Sequence, residues 1–324
     1  MNINSLQAIA SVEEPQAEIG ANELRGDVAP IQLQPSARPS ARVLLRACRP
    51  RQWSKNLLVF AAPCAAGMID RPQVAAQATG AFLVMCLLSS ATYLVNDVRD
   101  RDQDRRHPRK RLRPVATGEL SPRTALLAAG ALALLGVAAA TLIAPGFGVV
   151  ACGYLALTAS YSLWLRHVVI ADILAIAAGF VLRAIAGGVA TDIYLSHWFV
   201  IVTACCAIYL VAAKRYAELR EHEVSSPARA TLRRYSVGGL RLTLLAAATL
   251  AGVAYTGWAF TRPSHAVWYG LSIAPLLLWL GRYATQIGAG AGQAPEELIL
   301  RDRTLLALGV AWSLLFLGGV YVGH

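Results

Sequence analysis

Charge is scarce in this chain. Only 15% of its 324 residues are Asp, Glu, Lys or Arg, and 56% are apolar, against about 25% charged residues in an ordinary soluble domain. This shortage, with a positive mean hydropathy, excludes a water-soluble globular domain and makes lipid the solvent. The six cysteines include no Cys-x-x-Cys pair and no histidine at zinc-ligand spacing, so a zinc ribbon or a dithiol redox centre is excluded as well. Most of them lie in apolar stretches, as small packing residues do. The N-terminus lacks the apolar core of a secretory signal. Residues 1–40, rich in Glu, Gln, Pro, Ala and Ser, read as a disordered cytoplasmic tail before a single membrane domain over 41–324.

What is present is a series of apolar runs. A membrane-crossing helix needs about 20 mostly apolar residues. That ruler gives an all-α integral membrane protein with about nine spans: Trp53–Met68, Val74–Val95, Arg123–Ile143, Phe147–Leu165, Val168–Ala190, His197–Ala213, Val237–Phe260, Ala266–Tyr283 and Thr304–Val322. The first is short and contains Pro63, so it is expected to be tilted or broken. With the N-terminus inside, 27 of the 30 Lys and Arg fall on the inner side, a strong positive-inside bias. The formal charge of +11 is thereby explained by orientation in a plasma (inner) membrane. A nucleic-acid partner loses its support, because the cations are spread over several short loops.

Two inner loops stand out, one over residues 96–122 and one over 214–241. The first opens Asn96-Asp97-Val98-Arg99-Asp100-Arg101-Asp102-Gln103-Asp104. Asn96, Asp97, Asp100 and Asp104 recur at spacings of three and four, so a helix continuing past the membrane edge would align them on one face. Stacked carboxylates repel unless a cation sits among them, and Mg²⁺ is held by one or two carboxylates, water and substrate phosphates. A solvated helix end is the plainer explanation, but ionisable groups at a membrane edge mark function by default. The basic run that follows supplies Lys110, Arg111 and Arg113, which would fold back to grip phosphate oxygens, although positive-inside bias alone also accounts for it. Gly118 permits a turn before the next span.

Further candidates lie at the same edge. Lys55 and Asn56 precede the first span, and Lys55 is as readily a snorkelling residue as a phosphate ligand. Tyr93 ends the second span, and Tyr161 ends the fourth, where belt aromatics are common. The fifth span carries Asp172 near its inner edge and Arg183 deeper, about 16 Å further along the axis; Arg183 reads as structural. In the second loop Lys214, Glu218 and Glu221 share a helical face, with Arg215 beside them.

The stretches Arg49-Pro-Arg-Gln-Trp-Ser-Lys-Asn-Leu-Leu-Val-Phe, Tyr93-Leu-Val-Asn-Asp-Val-Arg-Asp, His107-Pro-Arg-Lys-Arg-Leu-Arg-Pro-Val-Ala-Thr-Gly and Ala213-Lys-Arg-Tyr-Ala-Glu-Leu resemble the UbiA superfamily of membrane prenyltransferases. Tyr161-Ser-Leu-Trp-Leu and Gly179-Phe-Val-Leu-Arg-Ala-Ile-Ala-Gly also match, so the likeness runs from about residue 45 onward. It implies a UbiA-like bundle with a cytoplasm-facing site, Mg²⁺ on Asn96, Asp97, Asp100 and Asp104, and a polyprenyl substrate.

One departure is informative. Members that prenylate an aromatic ring carry a second Asp-x-x-x-Asp in the later loop, where this chain has Lys214-Arg215-Tyr216-Ala217-Glu218. A cation there suits a monophosphate. The branch that moves 5-phosphoribose from phosphoribosyl pyrophosphate (PRPP) to a polyprenyl phosphate is therefore the expectation, a step toward the arabinose donor of arabinogalactan in cell walls. Asp97, Asp100, Asp104 and Lys214 would act at the reacting groups. Lys55, Asn56, Tyr93, Asn96, Lys110, Arg111, Arg113, Tyr161, Arg215 and Glu218 would bind substrate. Self-association into a homo-oligomer is compatible with this picture. The alternatives are an aromatic prenyltransferase and, last, a transporter using Asp172 and Arg183.

Overall fold

The structure, a computed structural model, describes residues 40–225, 234–261, 266–290 and 295–322. The expected tail, and residues 226–233 of the second loop, lie outside them. All described regular structure is helical. Seven helices are long and apolar enough to cross a membrane: α3 (Pro72–Arg99), α6 (Pro122–Ile143), α7 (Pro145–Leu163), α8 (Val169–Ala190), α9 (its first 24 residues, to Arg220), α10 (Val237–Phe260) and α13 (Arg303–Tyr321). The helix α9 as a whole runs His197–Ser225, and α11 covers Ala266–Gly288 with Pro275 inside it. Short helices complete the chain: α1 (Ala41–Ala47), α2 (Ala61–Ala65), α4 (Arg101–Arg106), α5 (Pro114–Thr117) and α12 (Pro295–Arg301).

The helix starts follow local chemistry. Pro72, Pro122 and Pro145 occupy first-turn positions, where a missing N–H costs nothing. Ser121, Ser236 and Asp302 cap α6, α10 and α13 by accepting from Thr124 N (3.1 Å), Gly239 N (3.0 Å) and Leu305 N (3.0 Å). Gly118 turns the chain with φ 89°, as its sequence position suggests.

As expected, the first apolar run is not one continuous α-helix: an 11-residue 3₁₀ segment, Pro50–Phe60, leads into α2. One element differs from expectation: α3 does not run straight through the acidic motif. It ends at Arg99, Asp100 takes a non-helical conformation (φ −90°, ψ 7°), and α4 restarts at Arg101.

Burial is inverted relative to a soluble protein. Leu134, Leu142 and Phe260 are largely exposed, as lipid-facing residues are, whereas Asn56, Asp97, Asp104, Asp172, Arg183 and Arg215 are buried. Charges inside a bilayer protein face the bundle interior and need partners there. One apolar cluster joins α8–α11 and α13 around Tyr209 and Tyr283, and another joins α3 and α6–α8 around Met85 and Phe147. Asp97, Asp104, Asp172 and Arg215 gather where α3, α7, α8 and α9 share one end, and Asn56 and Arg183 lie deeper.

Candidate active site

The acidic motif is packed with arginines. Asp97 is 1% exposed; its Oδ1 accepts from Arg49, and Arg113 Nη1 lies 3.3 Å from the same oxygen. Arg113 also reaches Asp104 Oδ2 at 2.5 Å, so this member of the basic run folds back over the acidic one. Asp100 accepts from Arg166 Nη1 at 2.9 Å and 3.3 Å. Asn96 Oδ1 accepts from Ser162 Oγ at 2.6 Å. Arg49 additionally stacks over the Tyr93 ring, 5.1 Å from its centroid. Outside this inner ring, Arg105 Nε donates to Ala116 O at 3.0 Å, tying α4 to α5, and Arg46 of α1 pairs with Glu119 just before α6.

One buried oxygen is left over. Asp97 Oδ2 has no hydrogen-bond partner, although a buried carboxylate oxygen is costly to leave unmatched. Among the described residues no three acidic, Cys or His side chains converge as a ready metal cage; the carboxylates are engaged by arginines, Asp97 and Asp104 sharing Arg113 and Asp100 taking Arg166. An all-oxygen donor set with one open, buried carboxylate arm fits Mg²⁺, which takes one or two carboxylates and completes its shell with water and phosphate.

A second network lies next door. Asp172, at the start of α8, accepts from Arg215 Nε (2.6 Å) and Nη2 (2.9 Å), from Tyr161 OH (3.0 Å) and from Tyr235 OH (2.9 Å). Arg215 Nη1 donates to Glu218 Oε2 at 2.6 Å. Burial, and then the Asp172 carboxylate, push the Tyr235 phenol above its usual range, so it stays protonated and keeps donating. The segment from Tyr161 to Asp172 joins both networks: Ser162 and Arg166 hold the first motif while Tyr161 and Asp172 hold the second.

Several expected ligands are placed differently from their sequence positions. Asn56 is fully buried: its Oδ1 accepts from Arg183 Nε at 2.8 Å, and its Nδ2 donates toward Cys86 Sγ (3.3 Å) and Ser89 Oγ (3.2 Å). It is an interior bridge rather than an edge residue, because the 3₁₀ segment carries it inward. Arg215, 5% exposed, turns its guanidinium into Asp172 and Glu218 instead of toward open space. Lys55, Lys110, Lys214, Tyr93 and Tyr161 are half-buried and Arg111 is exposed.

Arg49 and Arg166 were missed as partners of the acids, and Ser162 and Tyr235 were missed altogether. Arg166 bonds to a residue 66 positions away, and no local spacing signals that.

The model of the family described as the UbiA prenyltransferase family matches residues 57–301. Among curated proteins the chain is 40% identical over 297 residues to the decaprenyl-phosphate phosphoribosyltransferase of Mycolicibacterium smegmatis, covering 86% of this chain and 93% of that one. It is 39% identical over 289 residues to the protein of the same name from Corynebacterium glutamicum, covering 86% and 87%. Among solved structures, a UbiA homolog from Archaeoglobus fulgidus bound to GPP and Mg²⁺ superposes with a TM-score of 0.65 at 18% identity, over 87% of this chain and 99% of that one. A fold held in common at that identity, a family model spanning most of the chain and long relatives near 40% lead to one statement: this chain belongs to the UbiA prenyltransferase family.

Proposed function

We propose that this chain transfers 5-phosphoribose from phosphoribosyl pyrophosphate to a polyprenyl phosphate such as decaprenyl phosphate, releasing diphosphate. The names of the relatives support the substrate pair. The observation that carries the choice of donor is the state of the second motif: Lys214 stands first, and Glu218 is already bound to Arg215 at 2.6 Å. Such a motif suits a monophosphate better than a second metal-bridged diphosphate.

In the reaction, an anionic oxygen of the lipid phosphate attacks the ribose C1 as the bond from C1 to the diphosphate oxygen breaks. The attacking group is ionised already, so no general base is needed. Asn96, Asp97, Asp100 and Asp104 would hold Mg²⁺, with Asp97 Oδ2 as the open arm. When bound, the ion offsets charge developing on the leaving diphosphate. Arg113 is already at the motif and, with Lys110 and Arg111, would grip the diphosphate. Lys55 and Lys214 would take the remaining phosphates. Tyr161 and Arg215 keep the floor of the site in place through Asp172.

The same proposal covers topology. The seven long apolar helices, α11 and the 3₁₀–α2 segment make nine crossings of the plasma membrane, with the site on the cytoplasmic side where a soluble donor arrives. The polyprenyl chain would lie along a lipid-facing groove, and the product would feed synthesis of the lipid-linked arabinose donor for arabinogalactan.

The test is release of labelled diphosphate from phosphoribosyl pyrophosphate by the purified protein. The expected result is release that requires both Mg²⁺ and polyprenyl phosphate. Consumption of a prenyl diphosphate with an aromatic acceptor, and none with phosphoribosyl pyrophosphate, overturns the proposal.

A further inference from the structure

Arg183 sits deep in α8, about 21 Å along the axis from the helix start, and is 7% exposed. Its Nε, Nη1 and Nη2 donate to Asn56 Oδ1 (2.8 Å), Gly179 O (2.7 Å) and Tyr154 OH (2.8 Å). All three acceptors are neutral. The Tyr154 and Phe180 rings lie 4.9 Å and 5.6 Å from the guanidinium carbon, so π faces provide the remaining compensation. A charge kept at such depth without a carboxylate is expensive, and the mechanism above makes no use of it.

Its connections lead toward the site. Asn56 belongs to the 3₁₀ segment and bridges from Arg183 on α8 to Cys86 and Ser89 on α3. Three residues earlier, Trp53 Nε1 donates to Ser90 Oγ at 3.1 Å, and Ser90 in turn lies 3.3 Å from Cys48 O. The segment begins after Arg49, which has φ 55° and ψ 62°, a left-handed backbone that a non-glycine residue adopts only where surroundings enforce it. That conformation turns Arg49 onto Asp97 and over Tyr93. Runs of 3₁₀ beyond three or four residues are uncommon and lack good internal hydrogen bonds, so an 11-residue run needs external anchors.

We propose that Arg183 is a positioning residue: through Asn56 it anchors the 3₁₀ segment in the setting that places Arg49 on Asp97. Lysine cannot replace it, because the planar fork serves three acceptors at fixed angles and a single ammonium does not.

The inference uses the proposed diphosphate site, and its test is arranged so that the two fail separately. Amide hydrogen exchange on the full-length protein in nanodiscs is measured without ligand for Arg183→Met, Arg183→Lys and Asn56→Ala. Faster exchange across residues 50–60, with α13 unchanged, is expected in all three. Unchanged exchange there, or a uniform rise over the whole chain, overturns the proposal. Asn56→Ala keeps the test available should Arg183→Met not fold, since it leaves Arg183 with its bonds to Gly179 and Tyr154.

Calorimetric binding of inorganic diphosphate with Mg²⁺ then reads the coupling. Arg183→Met is expected to weaken binding about 10–100-fold, the usual scale for supporting residues, and to add under about twofold in an Arg49→Met background, as residues acting through one another do. Losses that multiply independently show that Arg183 does not act through Arg49 and overturn the inference. No binding by the unaltered protein counts against the diphosphate site and leaves the exchange result to decide the anchor.

Discussion

Replacing Arg215 by Met removes the cation that faces Asp172. The acid is 3% exposed and loses the bonds from Nε at 2.6 Å and Nη2 at 2.9 Å, keeping only the Tyr161 and Tyr235 hydroxyls. Stranding one member of a buried ion pair costs about 3–5 kcal/mol. Glu218 also loses its partner, but its side chain is 24% exposed, so water takes over and the added cost is under about 1 kcal/mol. The expected loss is therefore about 3–6 kcal/mol. Changing Asp172 to Asn in the same protein removes the stranded charge while keeping an acceptor for the tyrosines. The double variant should return to within about 1–2 kcal/mol of the native chain. Unfolding by a rising SDS fraction in mixed micelles measures all three proteins. A double variant no more stable than Arg215→Met alone refutes the reasoning, because it would mean the damage is lost packing and not an unmatched charge.

Four other outcomes follow from the geometry. Asp97→Asn should reduce diphosphate release at least about 100-fold, beyond the loss typical of a supporting residue, with little change in unfolding. Lys214→Met should raise the KM for phosphoribosyl pyrophosphate more than it lowers kcat, as removal of a ground-state phosphate contact does; steady-state kinetics separates the two. Gly187→Ala should be destabilising by about 1–3 kcal/mol or more, since its Cβ would fall 1.8 Å from Val59 O, and micellar unfolding reads it. Asp302 is held below the usual carboxylate range by Leu305 N–H and then by Arg282. A depressed acid stabilises the fold above its unfolded pKa, near 3.9, and loses that contribution as pH falls through its folded one. Unfolding measured from pH 6 down to pH 3 should therefore steepen in the native chain and flatten in Asp302→Asn.

Much of the helical framework was legible in the sequence because the apolar runs are long, and several meet proline or a capping Ser or Asp at their starts: α10 matches its expected bounds, and α6, α8 and α13 match within a residue or so. The acidic and basic runs were legible too, being local. The break at Asp100 was not, since the spacing of Asn96, Asp97, Asp100 and Asp104 suits an unbroken helix. Nor were the partners of those acids. An arginine at a membrane edge reads the same whether it meets headgroups or, like Arg166, a carboxylate brought near by folding. The depth of Arg183 in its span was legible, but its link to Asn56, 127 residues away, is a property of packing alone.

The 3₁₀ segment also settles a question of length. Asn56 meets Arg183, and Val59 meets Gly187: three residues onward on one element correspond to four on the other. A 3₁₀ helix rises about 2.0 Å per residue and an α-helix about 1.5 Å, so both steps advance about 6 Å and the two elements stay in register. Over the 11 residues of the segment that faster rise gives about 22 Å, and the five residues of α2 bring the reach close to the roughly 30 Å of a hydrocarbon core. The same chain wound as α-helix would stop about 5 Å short and slip out of step with α8 at every turn. A run too short to be a convincing span by residue count is thus long enough by axial rise, and its pitch, as much as its side chains, is what selects its neighbour.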